Sequence, residues 1–284
     1  MQPSKHHSAH SGPHPLLRRV ALAGLALCCL ATGIAGVSSA APSTTPVVLY
    51  DGALGNMPDN QGWAYLASGG SATRTPSGGA TTLDTSSSKG ISAGYFAAQG
   101  GFFGSTAPVP ALDRTIGYTV SFTVQVELED HAGSDKNNDG IEDRAGFSLI
   151  VLSSDKRGIE LGFWKDRIWA QEDGAATPPA GKLFTQAEGA AFDTQSGRIG
   201  YVLTVQGDTY TLSSNGTPIL SGSLRDYTAF SGLPDPYETP NLIFLGDDTS
   251  SASAKIDLAY VAVGPIGSTE PSLDHKLYLP LLRR

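Results

Sequence analysis

The sequence predicts an all-β protein folded as an antiparallel two-sheet jelly-roll β-sandwich. Three observations predict this fold: a glycine-rich composition, a long alternation of apolar and polar residues, and many short strand signals separated by turns. The chain has 284 residues with 34 glycines, and 16% of its residues are charged. This composition suits a β protein better than a helical one. Helical periodicity is absent apart from one turn near 224–230.

The clearest strand covers Tyr118–Leu128. Polar side chains fill its odd positions, and apolar ones fill its even positions, which are Tyr118, Val120, Phe122, Val124, Val126 and Leu128. A period of two predicts that one face, with Leu128 included, packs on the core while the other face meets water.

Further strand signals follow at hairpin spacing. They are Phe147–Leu152, Ile159–Trp164, Arg167–Gln171, Tyr201–Val205, Thr209–Ser213, Ile219-Leu220, Leu242–Leu245 and Ile256–Val263. Phe147–Leu152 is apolar on both faces, which predicts a central strand, and Asn215-Gly216 predicts a tight turn. Many short antiparallel strands of this kind pack as two sheets, face to face.

The first 40 residues have the pattern of a signal peptide. A basic stretch ends at Arg18-Arg19, an apolar run of about 17 residues follows, and small residues precede Ala41. A transmembrane anchor is the alternative, but the run is short and interrupted by glycines. A lipoprotein site at Cys28 or Cys29 fits poorly, because Leu27 and Cys28 stand where a small residue is needed.

The remaining chain is acidic and free of cysteine. It carries 16 basic and 27 acidic residues, a net charge of −11, because Lys5, Arg18 and Arg19 are the only charged residues before it. This charge disfavours nucleic acid and anionic membranes as partners. Without cysteines, stability must come from the core and, if present, a metal. The expected organisation is a signal peptide at 1–40, one sandwich domain at 41–263, and a linker with a tail at 264–284.

The tail contains Tyr278-Leu279-Pro280-Leu281-Leu282-Arg283, followed by the last residue, Arg284. It is too short to span a bilayer, so no transmembrane span is expected after signal cleavage. It is interpreted either as a frayed terminus or edge strand, or as a sorting tail.

The segment Asp135–Asp143 has the spacing of a calcium loop. Gly140 stands at position 6, where the loop must turn sharply, and the predicted oxygen ligands are Asp135, Asn137, Asp139, the carbonyl of Ile141, and Asp143. Position 12 is Gly146 instead of the usual Glu, so a further carboxylate would have to come from Glu129, Asp130 or Glu142. The alternative is a solvated turn rich in Asn and Asp.

A hairpin with Lys165-Asp166 at its tip gives a candidate ligand face. That register places Phe163 and Ile168 on one apolar face. The opposite face then carries two tryptophans and three hydrogen-bonding side chains, which are Glu160, Trp164, Arg167, Trp169 and Gln171. This is the composition of a sugar platform. The alternative is that both tryptophans belong to the core or its rim.

The sequence offers little for catalysis. His131 and His275 are the only histidines after residue 40, and no Gly-x-Ser-x-Gly motif is present. Acidic residues are plentiful enough for paired-carboxylate glycoside hydrolysis. However, the Glu-x-Asp-x-x-Glu pattern of laminarinase-like sandwiches is missing, and Asp247-Asp248 indicates a turn between strands.

Four segments resemble a secreted bacterial β-sandwich domain of unassigned function that occurs with varied C-terminal anchors. They are Arg144–Leu152, Gly158–Trp164, Thr204–Tyr210 and Phe244–Ser250. More broadly, Val47–Val263 is similar to concanavalin A-like lectin/glucanase and laminin-G-like jelly rolls. The resemblance implies a concanavalin A-like sandwich and raises the expectation of glycan binding.

The sequence therefore predicts a non-enzymatic extracellular binding or adhesion module, secreted or at the cell surface. Its expected ligand is a carbohydrate or another cell-surface component, and Ca²⁺ is its expected structural ion. The alternatives are a glycoside hydrolase or lyase on the same fold, and a purely structural envelope protein.

Overall fold

The computed structural model of the chain describes residues 45–174 and 182–268. The predicted signal peptide lies outside these residues, and so does the tail from residue 269. Within the described ranges, no helix is long and apolar enough to cross a membrane.

The described residues form fifteen strands, which we number in chain order. They are β1 Val47–Asp51, β2 Ala64–Ser68, β3 Thr73–Ser77, β4 Ala80–Asp84, β5 Ser92–Ala98, β6 Tyr118–Asp130, β7 Ser148–Leu152, β8 Gly158–Phe163, β9 Arg167–Gln171, β10 Gln186–Ala191, β11 Ile199–Gln206, β12 Thr209–Ser214, β13 Thr217–Ser223, β14 Leu242–Asp247 and β15 Ser253–Gly264. The helical segments in these ranges are short 3₁₀ turns at Gly52–Leu54, Pro58–Gln61, Tyr227–Ala229 and Pro236–Glu238.

The strands form two antiparallel sheets, as predicted. The first sheet has the order β13-β12-β11-β6-β15-β4-β3, with β1 also paired to β15, and the second has the order β10-β9-β8-β7-β14-β5-β2. The predicted fold class, an antiparallel two-sheet β-sandwich, is confirmed. β7 is the middle strand of the second sheet, as its apolar character on both faces predicted.

Sequence patterns also fix the hairpins. β11 and β12 join through Gly207-Asp208, with Gln206 opposite Thr209. β12 and β13 join through Asn215-Gly216, whose φ values of 49° and 73° are those of a tight hairpin turn. Asn and Gly adopt this left-handed conformation at low cost.

The core lies between the sheets and consists mainly of alternate residues of the long strands. Phe163 of β8 is central to it, because its ring lies 6.1 Å from that of Phe122, 5.1 Å from Phe147 and 5.6 Å from Tyr201, centre to centre. Phe122 and Tyr201 belong to the first sheet, so these contacts join the two sheets.

The alternation predicted for β6 holds from Tyr118 to Val126 and fails at Leu128. Lys255 pairs with Leu128 while the next residue, Ile256, pairs with Val126, so the strand has a bulge at Glu127. A bulge adds one residue and reverses the direction of the side chains that follow. Leu128 is therefore 52% exposed and Glu129 is buried.

Replacing Phe163 by alanine should destabilise the protein by about 3–5 kcal/mol, because it leaves a cavity where the two sheets meet. Urea unfolding of the variant measures the loss. Phe103→Ala is the matched control, because that phenyl ring is 59% exposed and should contribute little to stability. Equal losses for the two variants would contradict the position assigned to Phe163.

Candidate functional site

The β8–β9 hairpin has the predicted register. Gly162 pairs with Trp169 and Phe163 with Ile168, and Trp164 N donates to Arg167 O at 2.8 Å. Phe163 and Ile168 therefore face the core between the sheets. Glu160, Trp164, Trp169 and Gln171 are all buried.

The predicted sugar platform needs a correction, because its face is covered instead of open to solvent. The Trp169 ring lies against Gly162, where a Cβ would be 2.8 Å from Trp169 Cε2. Trp164 stacks on His131 with ring centres 3.8 Å apart and donates its indole N–H to Arg144 O at 2.7 Å. Arg167 Nε donates to Gln186 Oε1 at 3.1 Å. In this arrangement the two indoles fill space under loops and cannot stack on a ligand.

The predicted calcium loop lies in the connection between β6 and β7. Asp135 Oδ1 accepts from Asn138 N at 2.6 Å, and its Oδ2 accepts from Gly140 N at 2.9 Å. Asp139 Oδ1 accepts from Ile141 N at 2.8 Å. Asn137 Nδ2 donates to Asp139 Oδ2 at 2.9 Å. These bonds form a turn that is satisfied within itself.

The carboxylate of Asp143 is already engaged by backbone donors. It is fully buried and accepts from Lys136 N at 2.6 Å and from Gln186 N at 2.9 Å. Among the residues described, no three acidic, histidine or cysteine side chains come together as a metal site. The three predicted carboxylate ligands thus do not cluster, and calcium stays a prediction.

The outer face of the second sheet, which turns away from the first sheet, holds a cavity of about 370 Å³. That volume is in the range of small-ligand sites, roughly 300–1,000 Å³. Most of its wall is aromatic or aliphatic. The aromatic wall residues are Phe96, Phe103, Phe184, Phe230, Tyr237 and Phe244. Ser68, Ser92, Arg144, Asp247 and Asp248 add polar groups to the same wall.

The floor of the cavity follows from two rows of cross-strand partners. One row has large side chains after its first residue and consists of Ala64, Phe96, Phe244, Ile150 and Glu160. The next row is small in its middle and runs Leu66, Gly94, Gly246, Ser148, Gly162. A Cβ at Gly94 would lie 2.2 Å from Phe244 Cε2. The glycines thus make room for the neighbouring rings and leave a depression in the sheet.

Loops build the walls above this floor. Phe184 and Tyr237 lie with ring centres 5.5 Å apart, and Phe230 lies 5.5 Å from Phe184 and 5.3 Å from Tyr237. Tyr237 is anchored by the short helix Pro236–Glu238, whose start is capped by Asp235. Phe103 stands at the mouth with most of its ring in solvent.

Two carboxyl groups lie close together at the cavity. Asp248 is exposed and belongs to the cavity wall, whereas Glu160 is fully buried and lies outside the wall residues. The Tyr237 hydroxyl donates to Glu160 Oε2. Burial, and then the charge of Asp248, raise the pKa of Glu160 well above its usual range. Asp248 also accepts from Ser148 Oγ at 3.1 Å.

A protonated Glu160 explains the bonding of this pair. As a carboxylate, its Oε1 has no hydrogen-bond donor among the described residues. As a carboxylic acid, it can donate to Asp248.

Asp247 is a second buried acid beside the cavity. Its Oδ2 accepts from Thr85 Oγ1 at 2.6 Å and its Oδ1 from Thr249 N at 3.1 Å. Desolvation raises the pKa of Asp247 to about 9 despite these hydrogen bonds. This carboxyl group is therefore neutral at pH 7.

The sequence pattern predicts only one of these residues, Glu160, as a ligand-binding group, and for a different reason. The pattern at Asp247-Asp248 predicts a turn, which agrees with the end of β14 at Asp247. The Gly-Asp-Asp signal at the end of an apolar strand was the available clue, since buried strands seldom end in two acids without a polar partner.

No protein-family model matches the chain, and no curated protein matches it significantly. Similar solved structures include a carbohydrate esterase from the Shiga toxin-encoding bacteriophage phi24B, with 14% identity and a TM-score of 0.47 over 78% of this chain and 98% of that one. A Bacillus subtilis protein of unknown function with a galectin-like fold has 11% identity and a TM-score of 0.43 over 77% and 96%. A family 29 carbohydrate binding module has 13% identity and a TM-score of 0.36 over 80% and 99%.

These identities and scores assign neither a family nor a ligand to the chain. The function must therefore be argued from its own residues.

Replacing Asp247 by asparagine should flatten the alkaline side of the stability profile. The folded state raises the pKa of Asp247 to about 9, so its protonated form stabilises the fold fully below about pH 4 and progressively less as the pH rises to 9. Asp247→Asn lacks this titration.

Thermal unfolding between pH 4 and 9.5 measures the effect. We expect the variant to exceed the unmodified protein in Tm at pH 8.5 by at least about 3 °C, and to differ less at pH 4.5. The exposed Asp166→Asn is the matched control. Parallel Tm curves for Asp247→Asn and the unmodified protein would show that this carboxyl group is charged when folded.

Proposed function

We propose that the chain is a secreted carbohydrate-binding protein whose ligand sits in the cavity on the outer face of the second sheet. Export rests on the signal-peptide pattern of residues 1–40, which end in small residues before Ala41. Ligand binding rests on the cavity itself.

The observation that carries the binding proposal is the combination of aromatic walls and hydrogen-bonding groups in one cavity. Sugar rings present apolar faces and polar edges, so they stack on aromatic side chains while their hydroxyls bond to polar groups. Phe103, Phe230 and Tyr237 supply aromatic surface to the cavity wall. Asp248 and Ser92 supply acceptors and donors on the same wall.

The placement of Asp248 suits this role. Asp248 can accept from a sugar hydroxyl, while Ser148 donates to Asp248 and Tyr237 donates to the neighbouring Glu160. Because Glu160 lies within β8 and Asp248 directly follows β14, the two groups are held by the sheet and need no rearrangement to meet a ligand.

Glycoside hydrolysis is the second function to test, because Asp248 lines the cavity and Glu160 lies close to it. Carboxyl groups that hydrolyse glycosides stand about 5–10 Å apart on two sides of the scissile bond. Glu160 is instead fully buried and outside the cavity wall. Their arrangement therefore supports holding a ligand more than cleaving it.

Replacing Phe103 by alanine should weaken ligand binding at least about tenfold, because it removes an aromatic surface from the mouth of the cavity. A glycan array identifies a ligand, and calorimetry then compares the two proteins. Ile116→Ala is the matched control, because Ile116 is 75% exposed and is not part of the cavity wall.

Absence of any glycan ligand would refute carbohydrate binding and leave the structural-protein alternative. If the protein cleaves an oligosaccharide and Glu160→Gln abolishes that cleavage, the proposed function changes from binding to hydrolysis.

Calcium binding at Asp135, Asn137 and Asp139 is a separate proposal. It is supported by their alternating positions around Gly140, which has a φ of 88°. Because Asp143 is engaged elsewhere, waters would have to complete the shell. Such a site predicts a higher Tm in millimolar Ca²⁺ than in chelator, with the gain lost in Asp135→Ala. Asp155→Ala, in another loop, serves as the control. A Tm that is the same in Ca²⁺ and in chelator would contradict the calcium proposal.

A further inference from the structure

The guanidinium of Arg144 lies in the wall of the cavity and has no polar partner. Among the residues described, it forms no hydrogen bond or ion pair, and it lies over the Phe184 ring, whose centre is 4.8 Å from Cζ. An arginine that lines a cavity without an acceptor has its donors free for a ligand.

The other arginines in the described ranges do have polar partners. Four form ion pairs, namely Arg74, Arg114, Arg198 and Arg225. Arg157 donates to Leu224 O at 3.4 Å, and Arg167 donates to Gln186 Oε1 at 3.1 Å. Arg144 is the exception, and it is the one in the cavity wall.

The backbone beneath Arg144 is held firmly. Its carbonyl accepts from Trp164 Nε1 at 2.7 Å. The residue before it, Asp143, is fixed by Lys136 N and Gln186 N, and the residue after it, Ala145, is buried. The buried tryptophan thus helps to position this arginine at the cavity.

The charges around Arg144 favour an anionic group. Lys136 Nζ lies 5.5 Å from the centre of the same Phe184 ring, so two cations flank it. Among the described residues of the cavity wall, the acids are Asp247 and Asp248, and the pKa of Asp247 is about 9, so that carboxyl group is neutral at pH 7. A ligand carboxylate bound at Arg144 would therefore not meet a wall of anions.

We propose that the cavity takes an acidic sugar, such as a uronic acid unit of a polysaccharide, and that Arg144 holds the sugar's carboxylate. The planar guanidinium fork matches a carboxylate with two parallel hydrogen bonds. The aromatic wall takes the apolar face of the ring, and Asp248 accepts from a hydroxyl. This inference rests on the proposed carbohydrate function and narrows it to one substrate class.

Calorimetry on the folded protein tests the proposal with matched oligosaccharides. Oligogalacturonate and oligoglucuronate are compared with the corresponding neutral galactose and glucose oligomers, and with a sulfated neutral oligomer. We expect the unmodified protein to bind an acidic oligomer at least about tenfold more tightly than its neutral counterpart, with affinity falling as salt rises.

Two substitutions and one control assign the effect to Arg144. Arg144→Met should weaken the acidic ligand by roughly 10- to 100-fold and leave the neutral ligand nearly unchanged. Arg144→Lys should recover only part of the affinity, because it keeps the charge and loses the fork. Arg167→Met, on the same sheet but outside the cavity wall, should change neither ligand.

The possible outcomes distinguish the acidic-sugar proposal from the carbohydrate-binding function on which it rests. Binding of neutral oligomers without a preference for acidic ones, or a preference that survives Arg144→Met, overturns the acidic-sugar proposal and leaves carbohydrate binding intact. Tighter binding of the sulfated oligomer overturns the carboxylate assignment. Binding of no sugar overturns both proposals.

Discussion

The structure depends on one constraint, which is that the second sheet is apolar on both faces. Leu149 and Val151 of β7 pack into the core between the sheets, while Ile150 and Leu152 point the other way. An exposed apolar sheet face would be costly in water. Loops must therefore cover it, and Phe184, Tyr227 and Tyr237 supply most of that cover.

The same cover explains why acids became buried. Glu160 occupies an outward position on β8, which would be solvated on a sheet with an open face, and here it lies under the two tyrosines. Tyr227 OH accepts from Glu160 N at 3.1 Å, and the Tyr237 hydroxyl bonds to its carboxyl group. A buried carboxyl group without a cation in hydrogen-bond contact keeps its proton. Burial by the loops thus sets the charge of the site.

Sequence reasoning predicted what depends on local pattern and missed what depends on the loops. The strand β6 and the Gly162–Trp169 pairing follow from alternation and turn position, which act over a few residues. The bulge at Glu127 leaves no mark in the alternation of apolar and polar residues, so the sequence pattern assigns Leu128 to the wrong face of the sheet. The burial of Trp169 depends on segments far along the chain. The lack of a polar partner for the Arg144 guanidinium depends on the positions of all acceptors around it, which only the structure gives.

The cavity is best understood as the place where this cover is incomplete. Gly94 and Gly246 have no side chains to fill the floor, and the loops that carry Phe103 and Phe230 stand at its edge without closing over it. A cover that served stability alone would fill such a gap, because each unfilled volume loses packing energy. It would also pair Arg144, which lies in the cavity wall, with one of the acids nearby. The gap and the unpaired cation together indicate a surface shaped for a ligand.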